Sequence, residues 1–141
     1  MIVVDASVAI KWINKAEKES EIAYSLYEGH IAGIKKIIVP SILFLEAANT
    51  LATKSNSTEE DIKIGLTFLF DANFDIYNPT LADLVDAGVL AKKYKTAVYD
   101  MLYAVVAKNK KCILVTADEN FVAKTKFKQV KLLNNYKKKR L

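Results

Sequence analysis

MIVVDASVAI, residues 1–10, is an almost wholly apolar stretch that carries one charged residue, Asp5. Short runs rich in Val and Ile are typical of strands that are buried on both faces of a parallel sheet. A buried strand seldom holds an unpaired carboxylate, because removing a charge from water is costly. Asp5 therefore needs either a partner inside the fold or a functional role at the end of this strand.

Four runs of this apolar kind predict buried strands: IVVD at 2–5, IIVP at 37–40, CILVT at 112–116 and VKLL at 130–133. A weaker fifth strand is predicted for FDIY at 74–77. The longer segments between these runs have helical spacing. Strands that alternate with helices predict an α/β protein, here a three-layer α/β/α sandwich with a mainly parallel sheet of about five strands.

Polar residues mark where several helices should begin. Ser41 follows a proline ahead of ILFLEAANTLATK, and Ser57 has the capping-box spacing to Glu60 before DIKIGLTFLF. Thr96 is predicted to cap the helix VYDMLYAVVAKNKK. These signals support the alternation of strands and helices.

The composition predicts one globular domain over residues 1–141, with a basic tail at about 136–141. Hydrophobic residues make up 52% and charged residues 26% of the chain, as in proteins that have a hydrophobic core. No stretch reaches the roughly 20 apolar residues that span a bilayer, and the N-terminus lacks a signal-peptide pattern. We therefore expect a cytoplasmic protein with no membrane partner, and the single cysteine, Cys112, excludes an intrachain disulfide.

A formal net charge of +5 favours a polyanionic partner, because Lys and Arg attract phosphates and release counterions on binding. Much of the excess lies in KKKRL at 137–141, and basic ends of this kind are most often solvated. The single histidine, His30, lies in the polar stretch YEGHIAG and is predicted at the surface.

Four of the 16 acids are difficult to explain as solvated surface groups. Asp5 ends IVVD and Asp118 follows CILVT by two residues, so both lie at strand ends where open α/β sheets bind ligands. Glu46 and Asp100 each interrupt an otherwise apolar helical segment. Most other acids, including Asp83, fall in polar surroundings or first helical turns and are predicted to face water.

The four acids have two interpretations. Taken singly, each can be a structural group, for example a capping Asp5 or a salt-bridged Asp100. Taken together, they lie in elements that contain no Lys or Arg until their far ends. Two like charges about 4 Å apart cost on the order of 4 kcal/mol at an effective dielectric near 20, and a divalent cation reverses that sign. Oxygen ligands without a Cys or His cluster favour Mg or Mn over Zn.

At these residues the sequence resembles the PIN-domain nucleases, and in particular the small VapC-type toxins of toxin–antitoxin pairs. The matching motifs keep the family's order and spacing over essentially the whole chain: VVDASV, PSILFLEAANTL, VYDMLYAVVA and LVTADENF. The resemblance implies a ribonuclease in which a metal-activated water attacks a phosphodiester of RNA.

The resemblance also implies roles for single residues. The catalytic and metal-binding set would be Asp5, Glu46, Asp100 and Asp118, where Glu46 binds metal or orients and deprotonates the water. The supporting set would be Thr116, Ser7, Asn49 and Asn120. Ser7 has an alternative role as the cap of the first helix. Many relatives carry an acid at the position of Asn120, so an amide there places a second metal ion in doubt.

The partners implied by the resemblance are RNA, a small antitoxin protein and a second copy of the chain. Candidates for a dimer surface are the run IGLTFLF, Tyr99 and Tyr103, with core packing as the alternative for the leucines of that run and for Trp12. Candidates for contacts with RNA phosphates follow, with solvated surface positions as the alternative: Lys11, Lys92 and Lys93.

Two other functions remain open from the sequence. The first is a PIN-like module that binds RNA or protein without cutting it, and the second is a solitary RNA-processing PIN nuclease. A receiver or haloacid-dehalogenase-like phosphatase is disfavoured, because Asp5 is followed by Ala6 and Ser7 and no lysine directly follows CILVT or VKLL.

Overall fold

The computed structural model describes residues 1–14, 18–54 and 56–136. The strands in these ranges are β1 (Ile2–Val4), β2 (Ile37–Pro40), β3 (Asp75–Tyr77), β4 (Ile113–Thr116) and β5 (Val130–Leu132). The helices are α1 (Ala6–Ile13), α2 (Ser20–Ile31), α3 (Ile42–Thr53), α4 (Glu59–Asp71), α5 (Leu81–Tyr94), α6 (Val98–Asn109), α7 (Glu119–Thr125) and α8 (Leu133–Tyr136). The predicted basic tail KKKRL lies outside the described residues.

The five strands form one parallel sheet in the order β3-β2-β1-β4-β5. The register pairs Val3 with Ile38 on one side and with Leu114 on the other. β1 is therefore the central strand, which explains why the opening apolar run has no polar face. The predicted parallel sheet of about five strands is confirmed.

Helices cover both faces of this sheet. The chain moves from β1 through β2 to β3 in one direction and returns to β4 and β5 on the other side of β1. Because parallel crossovers are right-handed, this reversal places α1 to α4 on one face and α5 to α7 on the other. The helix contacts agree, since α1 touches α2, α3 and α4 while α5 touches α6. The predicted three-layer sandwich is confirmed.

The core is densest around β1 and α6. The β1 side chains are 0–2% exposed, and every residue from Met101 to Ala107 on α6 is buried. Each large apolar side chain buried in this way contributes roughly 1.5–3 kcal/mol. Trp12 belongs to the same core, and its Nε1 donates a hydrogen bond to the Ala23 carbonyl at 2.6 Å. Core packing, and not a dimer surface, is therefore the use of Trp12.

The helix starts agree with the predicted segments but not with every predicted cap. Thr58, not Ser57, caps α4: its hydroxyl accepts from the Asp61 amide, and the Asp61 carboxylate accepts from the Thr58 amide at 3.0 Å. Ser41 precedes α3 without a capping hydrogen bond from its side chain. Thr96 does not cap α6 either, since its hydroxyl donates to the Ala97 carbonyl. Ser57 and Thr58 each have an acid three residues later, so the sequence alone does not show which of the two caps the helix.

His30, which was predicted at the surface, is partly exposed, but its ring is held by partners within the fold. Its Nδ1 accepts a hydrogen bond from the Ile37 amide at 3.0 Å, and its Nε2 therefore carries the proton and donates to the Ala72 carbonyl. The ring also lies against Phe74. The polar neighbours of His30 in sequence did not reveal these partners, because they lie on other elements.

Asp83 was predicted to face water, and this prediction was wrong, because only 3% of it is exposed. It accepts hydrogen bonds from the Tyr77 hydroxyl (2.6 Å), the Asn109 side chain (2.7 Å) and the Thr80 amide (2.9 Å). Burial acts to raise the pKa of Asp83, but these hydrogen bonds outweigh burial and hold the pKa below its ordinary value. The ionised carboxylate thus joins β3, α5 and the end of α6.

Among the described residues, no helix is long and apolar enough to cross a membrane. Cys112 is half-buried just before β4, and burial raises the pKa of its thiol. A raised pKa disfavours the thiolate at neutral pH. The described surroundings of Cys112 are therefore those of an unreactive structural thiol.

Replacing Asp83 with Asn should lower the free energy of unfolding by about 2–4 kcal/mol, because the amide presents donors to groups that already donate. The loss should shrink as the pH falls below about 4, because a carboxyl with a lowered folded pKa stabilises the fold only above its unfolded pKa. Urea unfolding of both proteins between pH 3 and 7 measures this. Asp86→Asn, on the exposed side of α5, removes the same charge and should change stability by less than about 0.5 kcal/mol.

Candidate active site at the carboxyl edge of the sheet

Asp5 lies directly after β1 and caps α1. One carboxylate oxygen accepts from the Val8 amide at 3.3 Å and from the Ser7 hydroxyl, and the other accepts from the Thr116 hydroxyl. Ser7 therefore does not cap the helix, which was its alternative role. Its hydroxyl instead links two strand ends, because it also accepts from the Ala117 amide at 3.0 Å.

Thr116 ends β4 and is fully buried. Its hydroxyl donates to Asp5, accepts from the Asp118 amide at 3.0 Å and lies 3.4 Å from the Ser7 hydroxyl. The parallel register that pairs Val4 with Val115 brings these two strand ends together. The hydroxyl pair thus orients the first acid and the turn that carries the last one.

Asp118 is the N-cap of α7, where its carboxylate accepts a hydrogen bond from the Phe121 amide at 3.0 Å. The side chain of Asn120 is exposed in the first turn of this helix. Asn49 is also exposed, on α3 one turn after Glu46. The structure thus places Asn120 at the edge of the acidic group and Asn49 farther along the helix that carries Glu46.

Glu46 is half-buried on α3 and is held by Tyr103, whose hydroxyl donates to its carboxylate. Tyr103 is only 1% exposed, so its predicted place on a dimer surface was wrong. Its role as a partner of Glu46 was missed from the sequence. The available signal was its position three residues after Asp100, which puts both side chains on the same side of a helix.

Electrostatic coupling connects the four acids. Burial raises the pKa of Asp100, and the Asp118 charge raises it further. Burial also raises the pKa of Glu46, where the Tyr103 hydrogen bond opposes the shift and the charges of Asp100 and Asp5 add to it. Such shifts arise when carboxylates interact electrostatically in a partly dehydrated region.

Asp5 has a strongly perturbed carboxyl group, with its pKa raised to about 6. Burial is the main cause, the hydrogen bonds from Ser7, Thr116 and Val8 oppose it, and repulsion from Asp100 adds to it. Within the described part of the chain, no cationic side chain is among the groups that shift this pKa. Hydrogen bonds are therefore what stabilises the ionised form of Asp5.

The donor chemistry of the cluster suits a hard divalent cation, because carboxylate and hydroxyl oxygens are the ligands that Mg and Mn prefer. Within residues 1–14, 18–54 and 56–136, no group of three or more Asp, Glu, His or Cys side chains is arranged so that it could hold a metal ion. The fit to a metal ion therefore rests on the coupled charges and the oxygen donors.

The lysines predicted to contact phosphate have different surroundings. Lys11 is 7% exposed, and its Nζ donates to the Lys18 carbonyl at 2.6 Å, so it is not an open surface cation. Lys92 and Lys93 are exposed near the end of α5. A shallow cleft of about 190 Å³ opens beside the acids, and the charged or amide residues that line it are Asp100, Asp118, Asn120, Lys95 and Lys124.

The predicted dimer candidates divide between core and surface. Leu69 is buried, while Ile64, Phe70 and Tyr99 are 61%, 62% and 51% exposed. Phe70 also stacks on Phe44 of the preceding helix, with ring centroids 4.4 Å apart. Surface apolar groups are therefore present on α4 and at the start of α6.

The PIN domain family model matches residues 2–127 of the chain. No curated protein matches the sequence. Solved structures with the same fold include the following three. PAE2754 from Pyrobaculum aerophilum is 22% identical with a TM-score of 0.70, and the match covers 96% of this chain and 91% of that one.

The second is Mycobacterium tuberculosis VapC20, described as a sarcin–ricin loop cleaving toxin, at 14% identity, a TM-score of 0.69, and 89% and 95% coverage. The third is VapBC2 from Rickettsia felis bound to a DNA fragment from their promoter, at 18% identity, a TM-score of 0.68, and 94% and 98% coverage. At these identities the likeness concerns the fold.

The raised pKa of Asp5 should make the metal-free protein lose stability as the pH rises. The folded protein holds this proton up to about pH 6, whereas the unfolded chain releases it near pH 3.9, so ionisation within the fold costs free energy across that window and above it. Relative to Asp5→Asn, the wild type should lose on the order of 1–3 kcal/mol between pH 4 and pH 7. Urea unfolding in the presence of a chelator measures the difference.

Asp71→Asn is the matched control, since Asp71 is exposed at the end of α4. Its difference from wild type should stay nearly constant over the same pH range. A wild type that gains stability over Asp5→Asn as the pH rises would mean that a cationic partner holds Asp5 ionised.

Proposed function

The chain belongs to the PIN domain family, and from this premise we propose that it is a metal-dependent endoribonuclease that hydrolyses RNA phosphodiester bonds. The observation that carries the proposal is the coupled set formed by Asp5, Glu46, Asp100 and Asp118 at one edge of the sheet. Two solved structures of the same fold belong to VapC-type systems, which supports a role as the toxin of a toxin–antitoxin pair.

We assign metal binding to Asp5, Asp100 and Asp118, and either metal binding or activation of water to Glu46. When bound, Mg or Mn would offset the carboxylate charges and stabilise the charge that develops on the phosphoryl oxygens. Ser7 and Thr116 hold the Asp5 carboxylate by hydrogen bonds. These hydroxyls therefore fix the orientation of the Asp5 carboxylate.

Glu46 has the properties of a general base. Its pKa is raised by burial, and a base is most effective when its pKa lies close to the working pH. The Tyr103 hydroxyl donates to one carboxylate oxygen and leaves the other able to accept a proton from water. Tyr103 is thus a positioning residue that acts through Glu46.

The wider role we propose is that of a single PIN-like domain over residues 1–141 that acts in the cytoplasm. Its partners would be RNA, a small antitoxin protein and a second copy of the chain. The exposed apolar side chains Ile64, Phe70 and Tyr99 provide surface for such contacts. The basic net charge of +5 favours association with RNA.

Manganese should stabilise the wild-type protein and not Asp100→Asn. A ligand at 100 times its dissociation constant stabilises the fold by about 2.7 kcal/mol, which raises the melting temperature by several degrees. In chelator, Asp100→Asn should melt above the wild type, because the substitution removes a partly buried charge that faces Asp118. Thermal unfolding with chelator and then with millimolar manganese measures both effects.

The same variant should cut RNA at least about 100-fold more slowly than the wild type, because electrostatic stabilisation of this kind is worth that much or more. Asp86→Asn, an exposed acid on α5, should match the wild type in melting, manganese response and cleavage. Wild-type protein that binds RNA but does not cleave it with manganese or magnesium would identify a non-catalytic PIN-like module instead.

Replacing Tyr103 with Phe should lower cleavage by about tenfold or more, because positioning and acid–base effects are commonly worth roughly 10²–10⁴. The ring remains to fill the core, so the variant should stay folded, with a modest loss from one hydrogen bond to a charged group. The pH profile should also move to higher pH, since the hydrogen bond opposes the raised pKa of Glu46. An unchanged profile with reduced stability would assign Tyr103 a purely structural role.

A further inference from the structure

The cleft beside Asp100 and Asp118 is also lined by two lysines. Lys95 and Lys124 line it together with these acids and with the amide of Asn120. Both lysines are exposed, so their ammonium groups can meet a ligand without losing all their water. The cleft therefore brings two acids and two lysines together around a volume of about 190 Å³.

The backbone around the two lysines is fixed by specific contacts. Lys95 is the C-cap of α5 and has the left-handed conformation (φ 60°), and its amide donates to the Ala91 carbonyl. Its own carbonyl accepts a hydrogen bond from the Lys124 Nζ at 2.9 Å. This bond ties the last turn of α7 to the turn that leads into α6. Asp118 is the N-cap of α7 and Asp100 lies in the first turn of α6. Each acid is therefore carried by the same helix as one lysine or by the helix that directly follows it.

Substrate charge gives this arrangement a use. RNA carries a negative charge at every nucleotide, and four carboxylates repel phosphates that approach them. A bound cation would offset the carboxylates locally, but a phosphate next to the cleavage point also needs a positive partner. Lysine provides such a point charge for phosphates, and an amide adds a hydrogen-bond donor.

We propose that Lys95 and Lys124 bind the phosphate adjacent to the scissile bond and so position RNA on the acidic cluster. The assignment rests on the proposed ribonuclease function and adds residues that the sequence motifs did not indicate. It replaces Lys11, which is buried, and it places the phosphate contact on the side of the site formed by α6 and α7. Asn120 lies on the same side and donates to the same anion.

The test compares Lys95→Gln/Lys124→Gln with a control of equal charge change, Lys35→Gln/Lys36→Gln. Lys35 and Lys36 are exposed and immediately precede β2, so they lie at the opposite edge of the sheet from the acids. Initial rates of cleavage with manganese give kcat and KM for each protein. Fluorescence anisotropy with the same labelled RNA in chelator, at several salt concentrations, gives the dissociation constant and its salt dependence.

The Lys95/Lys124 variant should show KM raised about tenfold with kcat within about twofold, because the substitutions weaken RNA binding and leave the chemical step unchanged. The slope of log affinity against log salt should fall by about 0.7 for each phosphate that the variant no longer neutralises. The control should change each quantity by less than about twofold. The manganese-induced rise in melting temperature should remain in both variants, since neither removes an acid.

Lys95→Gln alone serves as a second variant, because the Lys124 bond uses the Lys95 backbone carbonyl and survives this change. It should raise KM by about threefold without lowering the melting temperature. Equal weakening by both double variants would show that only overall charge matters and would overturn the assignment, as would an unchanged KM. A wild type that neither binds nor cuts RNA would instead overturn the proposed function, and the assignment with it.

Discussion

Partial burial of four carboxylates, to which their mutual repulsion adds, is the constraint around which this site is built. Asp5 and Glu46 have raised pKa values because burial and neighbouring charges disfavour their ionised forms. Hydrogen bonds from Ser7, Thr116 and Tyr103 partly offset the free-energy cost of ionising these carboxylates. These donors come from three different elements, so the carboxylates keep their orientation only while the sheet and its two helix layers are intact.

Helix α6 provides hydrogen-bond donors to two carboxylates on different helices, Glu46 on α3 and Asp83 on α5. Its residues 101–107 are buried against the central strands, and Asp100 projects from the turn just before them. Tyr103 holds Glu46 in the middle of the helix, and Asn109 donates to Asp83 at its end. A single rigid helix thus connects the acidic edge of the sheet to a second, structural carboxylate. Asp83 and Asp100 show how environment separates a structural acid from a functional candidate, since one has fixed donors around it and the other has a facing charge.

The site also contains charges of both signs. The acids lie at the ends of β1 and β4 and on the facing turns of α3 and α6, which concentrates negative potential where a cation would bind. Lys95 and Lys124 line the cleft beside Asp100 and Asp118. In the proposed RNA contact, the lysines would bind one phosphate while the reacting phosphate lies against the acids. Lys95 and Asp118 lie in the connections between α5 and α6 and between β4 and α7, which the fold requires in any case.

The amino-acid sequence by itself determined the alternation of strands and helices, the buried character of the run at 2–5 and the four acids that have no local explanation. Periodicity and strand-end position carry that information, because they depend on neighbours along the chain. The tertiary structure alone decided which polar groups meet. Asp83 and Thr80 have capping spacing, yet the burial of Asp83 depends on Tyr77 and Asn109 from other elements. Side-chain partners across elements are set by packing in three dimensions, and no local pattern records them.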